Sequence, residues 1–236
     1  MSAPKRIFVL TGAGVSAESG LGTFRDRGGI WARFDPMKLA TPEAYVADPD
    51  TVLDFYDHRR RGVIAAEPNG AHVALARAEA RLAARGGHLF LCTQNVDDLH
   101  ERAGSRAVVH MHGELLKARC TACRAVTPWH DDLNRASSCP ACGIVGRMRP
   151  DVVWFGEMPM HLDAIEDALG AADLFVAVGT SGAVYPAAGY VRQARALNIP
   201  TCEINLEPSD NADAFHDARY GPASTAVPQF LADLGL

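Results

Sequence analysis

The chain has 236 residues, of which 48% are hydrophobic and 22% are charged, as is typical of a globular protein with one domain or one domain and a small module. Its net charge of −5 argues against nucleic-acid binding, which favours clustered positive charge. No apolar run is long enough to span a bilayer, and no signal peptide is recognisable. We therefore expect a cytoplasmic protein that does not bind a membrane, with its six cysteines present as thiols or metal ligands.

Short apolar strands alternate with helical segments along the chain, which predicts an α/β fold with a Rossmann-like, doubly wound parallel sheet. The predicted strands are Arg6–Leu10, His88–Thr93, a shorter one near Val108–His110, Leu174–Val178 and Thr201–Asn205. The predicted helices are Ala71–Arg85, Leu162–Gly170 and Ala187–Leu197. Asn69 is the expected N-cap of the first helix.

A glycine-rich turn, Gly12-Ala13-Gly14, directly follows the first predicted strand. With Ala17 it satisfies the dinucleotide pattern G-x-G-x-x-A, in which glycines allow close backbone approach and turn amides can face a phosphate. An ordinary turn has the same pattern. The next residues, 21–29, form a polar loop with one aromatic and two arginine residues, and no acidic residue lies where a hydride-transfer enzyme would bind the ribose. We expect this loop to cover a cofactor.

Polar residues also follow the other predicted strands, at Thr93-Gln94-Asn95, Gly179-Thr180-Ser181 and Asn205-Leu206-Glu207. In a doubly wound sheet, the carboxyl ends of the strands line one crevice where ligands bind. Any one of these residues can be a cap or turn residue, but their recurrence at four strand ends predicts the binding site.

Three histidines, His100, His110 and His112, fall near this crevice. Histidine is the usual general base at neutral pH, although a given histidine is more often structural than catalytic. We favour His112 as the base, because Gly113 after it would permit close approach of a ligand.

Two segments interrupt the alternation of strands and helices: a charged helical one at residues 31–68, and one at 116–149 that contains few strands. The second holds two C-x-x-C pairs, Cys120/Cys123 and Cys139/Cys142, with fifteen residues between them. This spacing is typical of a closed, structural zinc site with four thiolate ligands. We expect the two segments to pack together as a smaller lobe that binds one zinc ion. Four unrelated buried thiols are the alternative.

Several motifs occur in a fixed order from about Arg6 to the C-terminus: GAGVSAESG, TFRD, TQNVD, HGE, the two C-x-x-C pairs, VGTS and NLE. Together they resemble the sirtuin family of NAD-dependent protein-lysine deacylases. The segments HMHGELLK, VVWFGEMP and VYPAAGY are similar to the bacterial branch of the acyl-selective class. The chain departs from the pattern at Gly22, where many members have proline, and this departure would loosen the covering loop.

The resemblance implies that NAD binds between a Rossmann-like lobe of residues 1–30, 69–115 and 150–236 and a small lobe of residues 31–68 and 116–149. It implies contacts to NAD from Gly12, Ala13, Gly14, Ser16, Thr23, Phe24, Arg25, Trp31, Gln94, Asn95, Val96, Asp97, Gly179, Thr180, Ser181, Asn205, Leu206, Glu207 and Ala223. It also implies that a strand over residues 153–157 pairs with an extended acyl-lysine peptide, through Val153, Phe155, Gly156 and Glu157.

The reaction is implied by the same resemblance. The acyl oxygen attacks the ribose C1′ of NAD and nicotinamide leaves. His112 then acts as general base on a ribose hydroxyl, and water completes the transfer to give free lysine and acyl-ADP-ribose. Asn95 is the second implied catalytic residue. Such chemistry requires a site that excludes water, which suits a closing loop.

The residues that would select the acyl group lie in the helical segment at 31–68, where Tyr56 and Arg59 share one face of a predicted helix. A solvated arginine face is the simpler interpretation of this charged stretch. The resemblance favours another, since in acyl-selective sirtuins a Tyr-x-x-Arg pair binds the distal carboxylate of succinyl- or malonyl-lysine. Ala40 matches a place where a small residue leaves room for the longer acyl chain. We therefore expect desuccinylase and demalonylase activity alongside deacetylase activity.

Other functions stay open. Deacetylation alone and mono-ADP-ribosyl transfer to protein are both compatible with the same cleavage of NAD. An NAD-dependent oxidoreductase is favoured only by the glycine turn. A zinc-ribbon binding protein without activity is opposed by the presence of His112, Asn95 and Asp97.

Overall fold

The structure is a computed structural model that describes residues 4–24 and 29–236, apart from the side chain of Trp31. The described strands are β1 Arg6–Thr11, β2 His88–Thr93, β3 Val108–His110, β4 Gly113–Cys120, β5 Val126–Pro128, β6 Met148–Val152, β7 Leu174–Val178, β8 Thr201–Asn205 and β9 Asp217–Tyr220. The described α-helices are α1 Ile30–Arg33, α2 Pro42–Ala47, α3 Pro49–Ala65, α4 Gly70–Ala84, α5 Leu99–Arg102, α6 Leu162–Gly170, α7 Tyr190–Ala196 and α8 Ala223–Asp233.

Six strands form one parallel sheet in the order β3-β2-β1-β7-β8-β9. The chain passes from β1 to β2 on one side and reaches β7 on the other, so the carboxyl ends of β1 and β7 border a crevice. Five of the six strands are predicted from the sequence. The sixth, β9, is not, because most of its residues are exposed and lack an apolar run.

Alternate side chains of β1 pack on opposite faces of this sheet. Ile7 and Val9 join an apolar cluster with α4 and α8, whereas Phe8 and Leu10 join another with α6 and α7. Helices on both faces of a parallel sheet make a doubly wound α/β fold. The predicted fold class is therefore confirmed.

The helix boundaries differ slightly from those predicted. α4 begins after Asn69, whose side chain accepts a hydrogen bond from the Ala71 N–H at 2.9 Å, so the expected N-cap is confirmed. The helix ends at Ala84, one residue early. The predicted helix Ala187–Leu197 starts as a 3-10 turn over Ala187–Gly189, which precedes α7.

A second, antiparallel sheet has the order β5-β4-β6. α3 packs on it through two apolar clusters, one containing Tyr56 and Trp154 and the other containing Leu53 and Cys120. The helical and cysteine-bearing segments therefore share an apolar core. The division of the chain into two lobes at residues 115 and 150 stays a prediction.

Candidate active site

The glycine turn after β1 packs against the turn after β7. The N–H groups of Gly12 and Gly14 donate to the carbonyl oxygens of Val178 and Gly179, both at 2.9 Å. A Cβ atom at Gly12 would lie 2.7 Å from the Gly179 oxygen, and one at Gly14 would lie 2.7 Å from the Gly179 Cα, so both positions require glycine. These two amides are used within the protein, so an anion would be met by the other amides of the turn, and the contacts of Gly12 and Gly14 with NAD stay predictions.

Other backbone amides at the crevice are available to an anion. Within residues 4–24 and 29–236, the N–H groups of Ala13, Thr180 and Ser181 donate to no acceptor. The Asn205 side chain donates to the Thr180 carbonyl oxygen at 2.8 Å and fixes this second turn. Such unspent amides at the ends of parallel strands suit a phosphate group.

Asn95, Ser16 and Asp97 form a buried hydrogen-bonded network at the carboxyl end of β2. Asn95 Nδ2 donates to Ser16 Oγ at 3.1 Å and to the Gly12 oxygen at 3.2 Å, while Ser16 Oγ donates to Asp97 Oδ2 at 3.1 Å. Asp97 Oδ1 accepts from the Leu99 N–H, and burial raises the pKa of Asp97. Because both amide hydrogens of Asn95 are used, its Oδ1 is the atom left for a ligand.

Two buried histidines lie beside this network, with ring centroids 4.8 Å apart. His72 Nδ1 accepts from the Asn69 N–H at 3.2 Å, so its Nε2 carries the hydrogen and faces Ser16 Oγ at 3.4 Å. His100 Nε2 lies 3.0 Å from Thr11 Oγ1. Burial lowers the pKa of His72 to about 4 and the pKa of His100 well below its ordinary value. Both histidines are therefore neutral, and His100, being 1% exposed, is not placed to act on a substrate.

His112 has the arrangement expected of a general base. Its Nδ1–H donates to the Gln94 carbonyl oxygen at 3.0 Å, which leaves the Nε2 lone pair available, and burial lowers the pKa of His112. His110 is instead bound at both nitrogens, with Glu101 at 2.7 Å and the Asn95 oxygen at 3.3 Å. Burial opposes its charge, but the Glu101 carboxylate raises the pKa of His110. Of the three candidate histidines, His112 combines an unspent ring nitrogen with partial exposure.

Gly113 has a role different from the one expected. Its φ is +78°, and an added Cβ atom would overlap the carbonyl oxygen of Asp151 on β6. Gly113 pairs with Val152 across the small sheet. The glycine is therefore required by strand pairing, and the close approach of a ligand beside His112 stays a prediction.

Residues 153–157 follow β6 as irregular chain with a turn at residues 155–156, and the expectation of a strand there is wrong. The N–H groups of residues 153 and 155 donate to the carbonyl oxygens of His112 and Ala40, both at 2.9 Å. The Trp154 N–H donates to Glu157 Oε2 at 2.9 Å. Because these donors are used, pairing with a peptide would depend on carbonyl groups and on the N–H of residue 156.

Tyr56 and Arg59 lie together on α3. The Arg59 guanidinium carbon is 4.7 Å from the Phe24 ring centroid and 5.7 Å from the Tyr56 ring centroid. Within residues 4–24 and 29–236, no carboxylate forms an ion pair with Arg59, and burial lowers the pKa of Arg59. Ala40, which is 4% exposed, belongs to the same apolar cluster as Tyr56.

The two arginines that follow on α3 have other partners. Arg60 is fully buried, forms an ion pair with Asp57, and donates from Nε to the Leu115 oxygen at 3.1 Å. Arg61 is more than half exposed and pairs with Asp132 at 2.6 Å. The three consecutive arginines are therefore not one solvated face, so the simpler interpretation of this stretch is wrong.

The four cysteines of the two C-x-x-C pairs converge, with their sulfur atoms all within 4.8 Å of one another. Cys120 Sγ lies 3.8 Å from Cys142 Sγ, and Cys123 Sγ lies 3.7 Å from Cys139 Sγ. Tetrahedral zinc with Zn–S bonds of about 2.3 Å separates its sulfur ligands by roughly 3.8 Å. The residues present therefore fit one zinc ion.

The other predicted NAD-binding residues lie on the loops after β1, β2, β7 and β8 and at the start of α8, and their contacts with NAD stay predictions. Leu206 and Glu207 are exposed. The partly buried ones are Thr23, Phe24, Gln94, Val96, Ser181, Asn205 and Ala223. Arg25 lies outside the described residues, as does the side chain of Trp31.

Comparison with known sequences identifies the family. A sequence model of the Sir2 family matches residues 12–186. The chain belongs to the Sir2 family. An NAD-dependent protein deacylase of Caulobacter vibrioides is 59% identical over 226 residues, covering 96% of this chain and 95% of the relative. An NAD-dependent protein deacylase of Leishmania major is 50% identical over 234 residues, covering 98% and 96%.

Solved Sir2 structures agree with this assignment. A mutant Sir2 homologue in complex with ADP-ribose has a TM-score of 0.89 and 38% identity, covering 98% of this chain and 92% of that chain. A Sir2 homologue in complex with NAD has a TM-score of 0.84 and 38% identity, covering 98% and 90%. A Sir2 variant with a deacetylated p53 peptide and 3′-O-acetyl ADP-ribose has a TM-score of 0.78 and 28% identity, covering 97% and 92%.

Two residues of this Sir2 site are missed by the sequence reasoning. His72 could have been found, because it stands three residues after the N-cap Asn69, at the spacing of a capping box. Trp154 donates from Nε1 to Tyr56 Oη at 2.9 Å. Nothing in the local sequence relates these two residues, which only the fold brings together.

Proposed function

We propose that this chain is an NAD-dependent protein-lysine deacylase that removes acetyl groups and the acidic succinyl and malonyl groups. The products are nicotinamide, acyl-ADP-ribose and free lysine. The proposal rests on two features that occur together at the crevice. His112 has an unspent Nε2 lone pair, and Asn95, Ser16 and Asp97 form a closed hydrogen-bonded network. The activities named for the relatives agree with it.

The residues at the crevice suit NAD, which when bound supplies the ribose carbon that is attacked and accepts the acyl group. The unspent amides of Ala13, Thr180 and Ser181 suit its diphosphate. Asn95 Oδ1 is held in place to accept a hydrogen bond from the ribose or carboxamide. His112 Nε2 accepts a proton from a ribose hydroxyl, and the Nδ1–H bond to the Gln94 oxygen stabilises the charged ring that results.

Zinc has a structural role in this proposal. Cys120, Cys123, Cys139 and Cys142 would hold it, and four thiolates leave no open position for chemistry. The cluster around Leu53 joins two of these cysteines to α3. Zinc therefore supports the helix that carries Tyr56 and Arg59.

Selectivity for acidic acyl groups rests on Tyr56 and Arg59. Within the described ranges, the Arg59 cation contacts aromatic rings and forms no ion pair with a carboxylate, while burial lowers its pKa. A succinyl or malonyl carboxylate would supply the missing partner through a charge-assisted hydrogen bond. The small side chain of Ala40 beside Tyr56 leaves room for the longer acyl chain.

The proposed partner is an acylated-lysine peptide in extended form, bound near residues 153–157, and the proposed location is the cytoplasm. Four of the six cysteines converge at the zinc site, and the use of cysteines as metal ligands rather than in disulfides is typical of that compartment. The described helices include none with the length and apolarity to cross a bilayer. We propose neither a nucleic-acid nor a membrane partner, and the net charge of −5 argues against nucleic-acid binding.

Substitution of Arg59 tests the acyl preference. One peptide carrying acetyl-, succinyl- or malonyl-lysine is assayed with NAD, and acyl-ADP-ribose is detected by mass. Arg59→Met removes a charge-assisted interaction of about 2 kcal/mol, so kcat/KM for the succinyl peptide should fall roughly thirtyfold, with little change for the acetyl peptide. Arg61→Met, two positions along the same helix, is the matched control and should leave both activities unchanged.

The alternatives give different results in the same assay. Activity on the acetyl peptide alone would establish a deacetylase and reject the acidic-acyl preference. An equal fall in all activities in Arg59→Met would make this arginine structural. ADP-ribose attached to protein, with acyl-lysine left intact, would favour mono-ADP-ribosyl transfer.

A further inference from the structure

The indole of Trp154 is fixed from several sides and points at Tyr56. The Arg149 guanidinium carbon stacks 3.4 Å from the Trp154 ring centroid, and Arg149 is itself bound to Glu157 at 2.7 and 3.0 Å. The backbone N–H of Trp154 donates to the same Glu157 carboxylate. The ring has little freedom to turn, since Trp154 is 2% exposed and lies 5.3 Å from the Tyr45 ring.

In its hydrogen bond with Trp154, the Tyr56 hydroxyl acts only as the acceptor. Trp154 Nε1–H can only donate, and it lies 2.9 Å from Tyr56 Oη. Within residues 4–24 and 29–236, the hydroxyl hydrogen of Tyr56 has no acceptor. Burial raises the pKa of Tyr56, so this hydrogen is retained at neutral pH. The indole therefore turns the O–H bond away from itself and leaves it to donate elsewhere.

We propose that Trp154 is a specificity-determining positioning residue, which orients the Tyr56 hydroxyl so that its hydrogen is offered to the carboxylate of an acidic acyl group. The inference rests on the proposed binding of that carboxylate by Tyr56 and Arg59. Trp154 acts through Tyr56 and does not itself touch the carboxylate. In a pocket where Tyr56 is 3% exposed, a preset donor is stronger than one that must also be reoriented.

The experiment compares Trp154→Phe, Tyr56→Phe and the double variant on one peptide carrying succinyl-, butyryl- or acetyl-lysine. Butyryl has the chain length of succinyl but lacks the carboxylate. Trp154→Phe keeps an aromatic ring against Arg149 and removes the N–H donor. We expect KM for the succinyl peptide to rise about fivefold, with kcat nearly unchanged and the butyryl and acetyl peptides within about twofold of the parent.

The double variant separates positioning from packing. If Trp154 acts through the Tyr56 hydroxyl, adding Trp154→Phe to Tyr56→Phe should cause no further loss on the succinyl peptide. The inference would be overturned if the loss in the double variant equalled the product of the two single losses, or if Trp154→Phe lowered activity equally on all three peptides. If Trp154→Phe does not fold, replacing the indole with its benzothiophene isostere removes the same N–H at nearly the same shape, and the same outcomes apply.

Failure of the proposed function would look different. In that case the parent enzyme would process the succinyl peptide no better than the butyryl peptide, and Arg59→Met would not change their ratio. Suppose instead that the parent prefers the succinyl peptide, that Tyr56→Phe loses this preference and that Trp154→Phe keeps it. That result would reject only the role of Trp154 and would leave the proposed function intact.

Discussion

The polar crevice at the ends of β1 and β2 differs from the proposed acyl pocket, which consists of Tyr56 and Arg59 on α3, in how buried polar groups find hydrogen-bond partners. In the crevice, the side chains of Asn95, Ser16 and Asp97 satisfy one another. In the pocket, Arg59 lies on aromatic rings, and the hydrogen of the Tyr56 hydroxyl has no acceptor among the described residues. We therefore propose that the crevice is preorganised for a reaction common to all substrates, whereas Tyr56 and Arg59 need a carboxylate that only some substrates supply.

Loss of zinc should damage the pocket far more than the crevice. Purified protein should hold about one zinc per chain, and structural zinc sites have apparent binding free energies on the order of 10 kcal/mol. Chelation should expose residues 116–149 to proteolysis while the core between α4 and α8 remains protected. A metal-free preparation with the protease resistance of the parent would contradict this.

Arg60→Met should destabilise α3. It removes the cation of a buried ion pair and leaves the Asp57 carboxylate with only the Leu133 N–H as a partner among the described residues, which costs roughly 3–5 kcal/mol. Urea denaturation measures the change. Arg61→Met, which removes an exposed pair, should cost less than about 1 kcal/mol, and equal losses in the two variants would contradict the distinction between these neighbours.

His112→Ala should act on the common reaction. We expect kcat to fall roughly a hundredfold or more on acetyl and succinyl peptides alike, with NAD binding retained in calorimetry. His100→Ala and His110→Ala should have milder effects. A loss confined to the succinyl peptide would instead place His112 among the residues that bind the acyl group.

Acid should weaken the crevice through His72. Burial lowers the pKa of His72 from 6.5 to about 4, so between these values the unfolded chain binds a proton that the folded chain does not. This contribution is fully present above pH 6.5 and is lost as the pH falls towards 4. Between pH 7 and pH 5 it amounts to roughly 2 kcal/mol. In His72→Gln the free energy of unfolding should change less over this range, and an unchanged pH slope would reject the assignment.

Much of the fold could be predicted from short-range pattern. The strands of the six-stranded sheet other than β9 are apolar runs bounded by turn residues, and α4 begins at a recognisable N-cap. The cysteine spacing indicated the zinc site because ligands within each C-x-x-C pair are local. The segment at 153–157 was misjudged as a strand, since two of its N–H donors bind the carbonyl oxygens of His112 and Ala40, which are distant in the sequence, and a third binds Glu157.

By itself, the sequence determined the fold class, the crevice at the strand ends and the metal ligands, because periodicity and spacing are properties of neighbouring residues. Only the tertiary structure showed that His112 combines an unspent ring nitrogen with partial exposure, and that Arg59, of three adjacent arginines, forms no ion pair among the described residues. Burial and hydrogen-bond partners come from distant parts of the chain, so Arg59, Arg60 and Arg61 read alike in sequence and differ once Phe24, Asp57 and Asp132 are placed beside them.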